Sequence, residues 1–594
     1  MKNFIKIVFG SCLGVILAIV VIGLVGSAVL TTFIASGKAK PSVTANSVLK
    51  LSFDRDIPEK TNNTEAAMYN FSEEPFIGLY EIAECIRHAK DDRNIKGIYL
   101  SLSSGGIGNA SAQYLRDAIR DFKESGKFVY AYSGNYGYSQ GAYYMASVAD
   151  KVMLHPLGAI DLRGFGSEIP FFKEMLDRLG IKMNVFYAGK YKGATEPFRL
   201  NQLSDENRYQ IHEYIEDLYD SFLGDIAQGR QMSADQVRNL AEELGGRNAD
   251  LAKQNQLIDA IMYEDEVFDA LREELDFSKD EKVNLVDLET YYKVKGKDLN
   301  LSSRSKIAVV YAEGEIRGGD DQYGMITDDQ YVGILRKIRD DENTKAVVLR
   351  INSPGGDAFV SDEIWREVQL VREKGIPVVA SMGDVAASGG YYIACGADRI
   401  IAEPNTITGS IGVFGLIPNI SELMNEKLGI HMDTVRTAKY ANGVVNPFYP
   451  VGPDEAAIIQ EGIDRTYETF LSRVAQGRNM TRDAVHEIAQ GRVWTGTRAK
   501  EIGLVDELGD MDRAIALAAE LSGTDEYRIT EYPRLKEPMQ KLIEDLTGQD
   551  LPEEISARIL AKHYPHTNQL LNTLEYMLKS QHPFARLPFD LHLN

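Results

Sequence analysis

The sequence predicts an α/β protein built from two tandem copies of one unit, set behind a single N-terminal transmembrane helix. Three observations carry this. Tyr143, Tyr144, Ala149 and Asp150 recur as Tyr391, Tyr392, Ala397 and Asp398, and Ala227-Gln228-Gly229-Arg230 recurs at Ala475-Gln476-Gly477-Arg478, in each case at an offset of 248 residues. Within each copy, short β-branched runs alternate with stretches of helical apolar spacing, as strands covered by helices require. Finally, Ile7 to Gly37 carries no charge and contains the apolar run Leu13 to Val25, long enough for a helix of about 20 residues to cross a hydrocarbon core.

The elements follow in order. Residues 1–44 read as the anchor and its linker, with Lys2 and Lys6 ahead of the span favouring a cytoplasmic N-terminus and a body on the other side. A cleavable signal peptide has a shorter apolar region, about 7 to 15 residues, so an uncleaved anchor is expected. Residues 45–293 form the first repeat, with strands at Val48 to Asp54, Gly97 to Ser103, Phe128 to Tyr132, Lys151 to His155 and Val283 to Leu288. A polar linker spans 294–305. The second repeat, 306–535, has strands at Lys306 to Ile316, Lys345 to Asn352, Ile376 to Met382, Arg399 to Glu403 and Tyr527 to Tyr532, with a helix from Asp357 to Lys374. Residues 536–594 read as an amphipathic tail with His563 and His566 near Pro565 and an apolar end, a surface or oligomer contact rather than a metal site.

Composition narrows the function. A net charge of −22 gives no attraction for phosphate backbones or anionic lipid heads, so nucleic acid is excluded as a partner and any membrane contact falls to the apolar span. Cys85 and Cys395 lie in different repeats and are expected as two buried free thiols, a single cross-repeat disulfide being the other option. No His-Glu-x-x-His helix, Cys-x-x-Cys cluster or Gly-x-x-x-x-Gly-Lys-Ser/Thr loop occurs, which leaves metal-dependent hydrolysis and nucleotide chemistry without a motif; no cofactor is expected.

The repeats differ where chemistry would sit. Ser388, in Ala386-Ala387-Ser388-Gly389-Gly390-Tyr391, stands opposite Gln140, while Gly141 and Ala142 stand opposite the two glycines. Small neighbours expose a hydroxyl, and the N–H of Gly389 can face a reacting carbonyl. The pair Gly355-Gly356, closing a strand and opening a helix, can supply further oxyanion donors. Lys192 has no lysine opposite it: alignment on Pro197-Phe198 and Pro447-Phe448 places Asn442 there, and alignment on Lys190-Tyr191 and Lys439-Tyr440 places Ala441. As a general base Lys192 must be neutral, so burial has to lower its pKa from about 10.4 by roughly 3 units, at a cost of about 4 kcal/mol. Ser410, opposite Leu162, could accept its hydrogen bond and orient it. A Ser-His-Asp triad is less well served, because the strand-end place of His155 is taken beside Ser388 by Glu403.

Taken together, Ser353 to Gly356, Ser381 to Tyr392, Thr408 to Val413, Tyr191 to Phe198, and Gly491 to Leu508 with Trp494, Thr495 and Gly496 make the chain similar to the signal peptide peptidase A (protease IV) family in its long, two-repeat form. The resemblance implies a membrane-anchored serine peptidase of the Clp protease/crotonase-like fold, built from ββα units and assembled as a homotetramer on the inner membrane with its body on the extracytoplasmic side. It implies a Ser/Lys dyad formed between the repeats, Ser388 as nucleophile and Lys192 as base, acting on remnant signal peptides and other apolar peptides. A membrane-anchored scaffold that keeps the fold without catalysis is the alternative, and a crotonase-like acyl-thioester enzyme a weaker one.

Overall fold

The computed structural model describes residues 42–53, 55–64, 75–103, 106–295, 303–319, 324–534 and 584–586. The expected span from Ile7 to Gly37 lies outside them, as do most of the linker and His563 and His566 of the tail; among the described residues no helix is long and apolar enough to cross a membrane.

Each repeat folds around a parallel sheet whose central strands are short apolar runs buried on both faces, the pattern helix-covered strands demand. In the first repeat the order is Ala260–Ile261, Lys151–Leu154, Phe128–Ser133, Ile95–Ser101, Ser47–Leu51 and Asn284–Asp287. The second repeats it with Glu507–Leu508, Arg399–Ala402, Val378–Ala387, Thr344–Ser353, Lys306–Glu313 and Arg528–Tyr532. It also adds Ile407–Gly409 and Val493–Thr495, which continue from the far end of Val378–Ala387.

Two strands differ from the sequence expectation, each for a local reason. The run Lys306 to Ile316 breaks into Lys306–Glu313 and Glu315–Arg317 at Gly314, whose φ of 100° belongs to glycine and whose Cβ, if it had one, would stand 1.9 Å from the Gly324 carbonyl oxygen. The strand expected to end near Met382 runs on to Ala387, because Val385–Ala387 pair with Ile407–Gly409. It thereby delivers Ser388 directly from a strand end into the helix Gly389–Ala394.

A third sheet joins the repeats. Lys182–Ala188 of the first copy pairs antiparallel with Val413–Asn419 of the second over their full lengths, Ala188 beside Val413. Its order is Met325–Thr327, Glu315–Arg317, Gly355–Asp357, Phe584–Arg586, Val413–Asn419 and Lys182–Ala188. Three tail residues form a strand within this sheet, Gly356 opposite Ala585 and Phe414 opposite Phe584.

The two halves are welded by an apolar interior. One continuous core includes Leu79, Ile82, Leu115 and Ile119 from first-repeat helices and Val309, Val348, Val379, Ile515 and Leu517 from the second repeat. Polar links cross the same boundary: buried Arg350 forms an ion pair with Glu59 at 2.9 Å and donates to Ser381 Oγ and the Met382 carbonyl, while Asp384 accepts from Ser111 N–H at 3.0 Å and from its hydroxyl. A buried charge needs such partners, and here they tie the first repeat to the strands that lead to Ser388. Cys85 and Cys395 are both free and buried, in separate cores.

Candidate active site

Ser388 caps the helix Gly389–Ala394 with φ 58° and ψ −115°, a conformation a residue with a Cβ rarely adopts. Holding it costs about 1–3 kcal/mol, so the surroundings must impose it. They do so from both sides: Ser388 N–H donates to the Gly409 carbonyl at 2.8 Å, and its own carbonyl accepts Tyr392 N–H at 2.9 Å. The glycines allow close approach, since a Cβ on Gly390 would stand 2.8 Å from the Ser353 carbonyl oxygen.

Lys192 enters from the first repeat. It follows Lys182–Ala188, the strand that pairs across the repeats, and precedes the turn Gly193–Thr195. Glu196, buried in the same loop, fastens it to the start of the helix Asp205–Arg230 by accepting Ser204 N–H at 3.1 Å, Ser204 Oγ–H at 2.5 Å and Asn207 Nδ2–H at 3.1 Å. On the other side the turn Gln490–Arg492 grips the loop. Tyr191 N–H donates to the Gln490 carbonyl at 2.9 Å, and Gly491, at φ 79°, lies so close that a Cβ there would stand 2.7 Å from Lys192 N.

Lys192 Nζ lies 2.8 Å from Ser388 Oγ, 3.1 Å from Ser410 Oγ and 3.2 Å from the Ser410 carbonyl oxygen. The lysine is 1% exposed and both serines are 0% exposed. Burial alone pushes the Lys192 ammonium well below its usual range. As a neutral amine, Nζ has two N–H groups and one lone pair. The two Ser410 oxygens and the Ser388 hydroxyl oxygen all lie within hydrogen-bond reach of Nζ. The Phe414 ring, its centroid 5.9 Å from Nζ, forms part of the pocket. Ser410 is itself held at φ 49° by its N–H bond to the Arg492 carbonyl at 2.7 Å, so one turn fixes both the lysine loop and the serine that contacts Nζ.

Ser388, Lys192 and Ser410 therefore meet at one point. Of the glycines expected as oxyanion donors, Gly389 sits at the first helical position, where an N–H has no intrahelical acceptor. Gly355, at φ 97°, already donates its N–H to Ser353 Oγ at 3.1 Å, and Gly356 faces the tail strand. Among the described residues no group of His, Cys, Asp or Glu is arranged to hold a metal ion. Sequence reasoning assigns no role to the Gln490–Arg492 turn or to Phe414. The turn leads into the Gly491 to Leu508 motif, which is its one signal, whereas Phe414 reads as ordinary core.

The sequence model of Peptidase family S49 matches residues 121–278 and 371–525, one stretch in each repeat. Protease 4 of Salmonella typhi is 37% identical over 498 residues, 81% of this chain and 79% of that one. Protease 4 of Haemophilus influenzae is 34% identical over 83% of this chain and 82% of its own. Serine protease SPPA, chloroplastic, of Arabidopsis thaliana is 33% identical over 80% of this chain and 70% of its own. A solved structure, a ClpP1 mutant from Listeria monocytogenes, superposes with a TM-score of 0.24 at 17% identity over 35% of this chain and 94% of that one, too loosely to weigh on the fold.

Proposed function

The chain belongs to peptidase family S49 and is a serine peptidase of the protease 4 kind, and from that premise we propose that it is an endopeptidase working through a Ser388/Lys192 dyad shared between its repeats. The observation that carries this reading is the 2.8 Å contact between Lys192 Nζ and Ser388 Oγ in a pocket where burial favours the neutral amine. Neutral Lys192 takes the Ser388 proton as Oγ attacks the substrate carbonyl. The N–H groups at Gly389 and Gly356 hold the oxyanion. The lysine, now an ammonium satisfied by Ser410, protonates the leaving amine, and it then draws a proton from the water that releases the acyl group.

An extended apolar peptide is the substrate. It would lie as a strand against Gly355–Asp357, where the tail strand Phe584–Arg586 now pairs antiparallel. Main-chain pairing of this kind reads no particular side chain and suits varied apolar sequences such as cleaved signal peptides. The apolar run Ile7 to Gly37 would anchor the body on the extracytoplasmic side of the inner membrane, and copies of the chain would associate as a homotetramer.

The test is turnover of an apolar reporter peptide by the wild type, Ser388→Ala and Lys192→Ala, each checked for folding. Loss in both variants supports the dyad; full turnover in either, as a different nucleophile or base would give, or no turnover by the wild type, as a non-catalytic scaffold would give, overturns it.

A further inference from the structure

We infer that Gln210 is a positioning residue that holds the two halves of the dyad in register, an inference that rests on the Ser388/Lys192 reading. Gln210 lies in the first-repeat helix Asp205–Arg230 and is 1% exposed. Its Nε2 donates to the Tyr191 carbonyl at 2.8 Å and to Asn207 Oδ1 at 2.7 Å, and its Oε1 accepts Val493 N–H at 3.1 Å. One planar amide thus touches the residue just before Lys192 and the strand beside the serines. Val493 pairs with Gly409, whose carbonyl holds Ser388 N–H and whose next residue is Ser410.

The chemistry of the side chain matters, because the site needs a donor on one edge and an acceptor on the other. Leucine offers neither, and a carboxylate offers only the acceptor. Tyr191 also has its carbonyl engaged by Gly193 N–H at 2.8 Å, and Gln210 adds the contact that joins this loop to the other repeat.

The repeat supplies an independent argument. The helix Pro453–Arg478 is the counterpart of Asp205–Arg230, and the position opposite Gln210 is Ile458, which is 42% exposed. A buried amide kept only in the copy that carries the lysine follows the same asymmetry as Lys192 against Asn442 or Ala441, Ser388 against Gln140 and Ser410 against Leu162. The neighbouring Asn207, which passes the network on to Glu196 in the lysine loop, stands opposite Glu455.

The experiment measures kcat, KM and the pH profile of full-length Gln210→Leu, Gln210→Glu and, as a control, Ile458→Ala, with the competent fraction counted by a serine-directed reagent. A slight misplacement of reacting groups lowers the rate steeply, so both Gln210 variants should lose on the order of 10- to 100-fold in kcat per competent site, with KM little changed. The ascending limb of the pH profile should move toward the ordinary lysine value as water gains access to Lys192. Ile458→Ala should behave as wild type. Unchanged kcat and pH limb in the Gln210 variants, or loss of folding in both, would mark a merely structural residue and overturn the inference. Undiminished turnover by Lys192→Ala would instead remove the dyad reading itself, so the two failures are distinguishable.

Discussion

Ser410 presents both its hydroxyl and its carbonyl oxygen to Lys192 Nζ, at 3.1 and 3.2 Å, and so occupies the two N–H groups that a neutral amine possesses. On the proposed mechanism the lone pair is left toward Ser388. Removing the hydroxyl frees one N–H and lets the amine rotate, so Ser410→Ala should lower kcat on the order of 10- to 100-fold while KM stays near its wild-type value. Steady-state kinetics at several pH values check this.

On the proposed mechanism Ser388 and Lys192 act as one unit, so their losses should not add. Each alanine variant is expected to lose on the order of 10³-fold or more in kcat, and the double variant should be no worse than either single. Multiplied losses in the double variant would mean independent roles.

The pH dependence has a definite sign. Burial lowers the Lys192 pKa, so the folded protein gives up this proton at a lower pH than the unfolded chain does. kcat/KM should rise with loss of one proton below the usual lysine range and then level off. For stability, the contribution of Lys192 is present above its unfolded value and is lost as pH falls through the depressed folded one.

Glu313 shows the opposite sign. Burial first, then Glu59, pushes its carboxyl up to about 8, and it accepts Glu59 N–H at 2.9 Å across the repeat boundary. Its contribution is therefore fully present below the unfolded carboxylate value and is lost as pH rises through about 8. Glu313→Gln should flatten the decline in unfolding free energy between the ordinary carboxylate range and about pH 8, measured by denaturant titration.

The tail strand pairs with Gly356 where an extended substrate would lie. Proline at position 585 removes a ladder donor and disfavours the pairing. Ala585→Pro should lower KM for a reporter peptide and leave kcat unchanged, as loss of a tethered competitor requires. An unchanged KM would show that the strand does not compete.

Some of this arrangement was legible in the sequence and some was not. Ser388, Lys192 and Ser410 could be singled out because a duplicated chain supplies its own reference: Gln140, Leu162 and the missing lysine of the second copy mark where the halves differ. The parallel strands were legible from buried β-branched runs. The sheet joining Lys182–Ala188 to Val413–Asn419 was not, because its partners are far apart in sequence and its pairing leaves no local signature. The continuation of Val378–Ala387 past Gly383 was hidden for the same reason, since its last residues find their partner in Ile407–Gly409. Gln210 leaves no signal in the sequence, since a lone glutamine on a helix has the pattern of a solvated side chain, and only its burial at the repeat boundary sets it apart.

The most direct test of the shared dyad is the rate at which a serine-directed phosphonylating reagent modifies the full-length protein, followed by intact mass and peptide mapping across a pH series. The adduct should map to Ser388, form faster as one proton is lost below the ordinary lysine range, and be slowed on the order of 10³-fold by Lys192→Ala. Labelling of Ser388 in Lys192→Ala at the wild-type rate, or an adduct on another residue, would contradict the claim that one repeat supplies the nucleophile and the other its base.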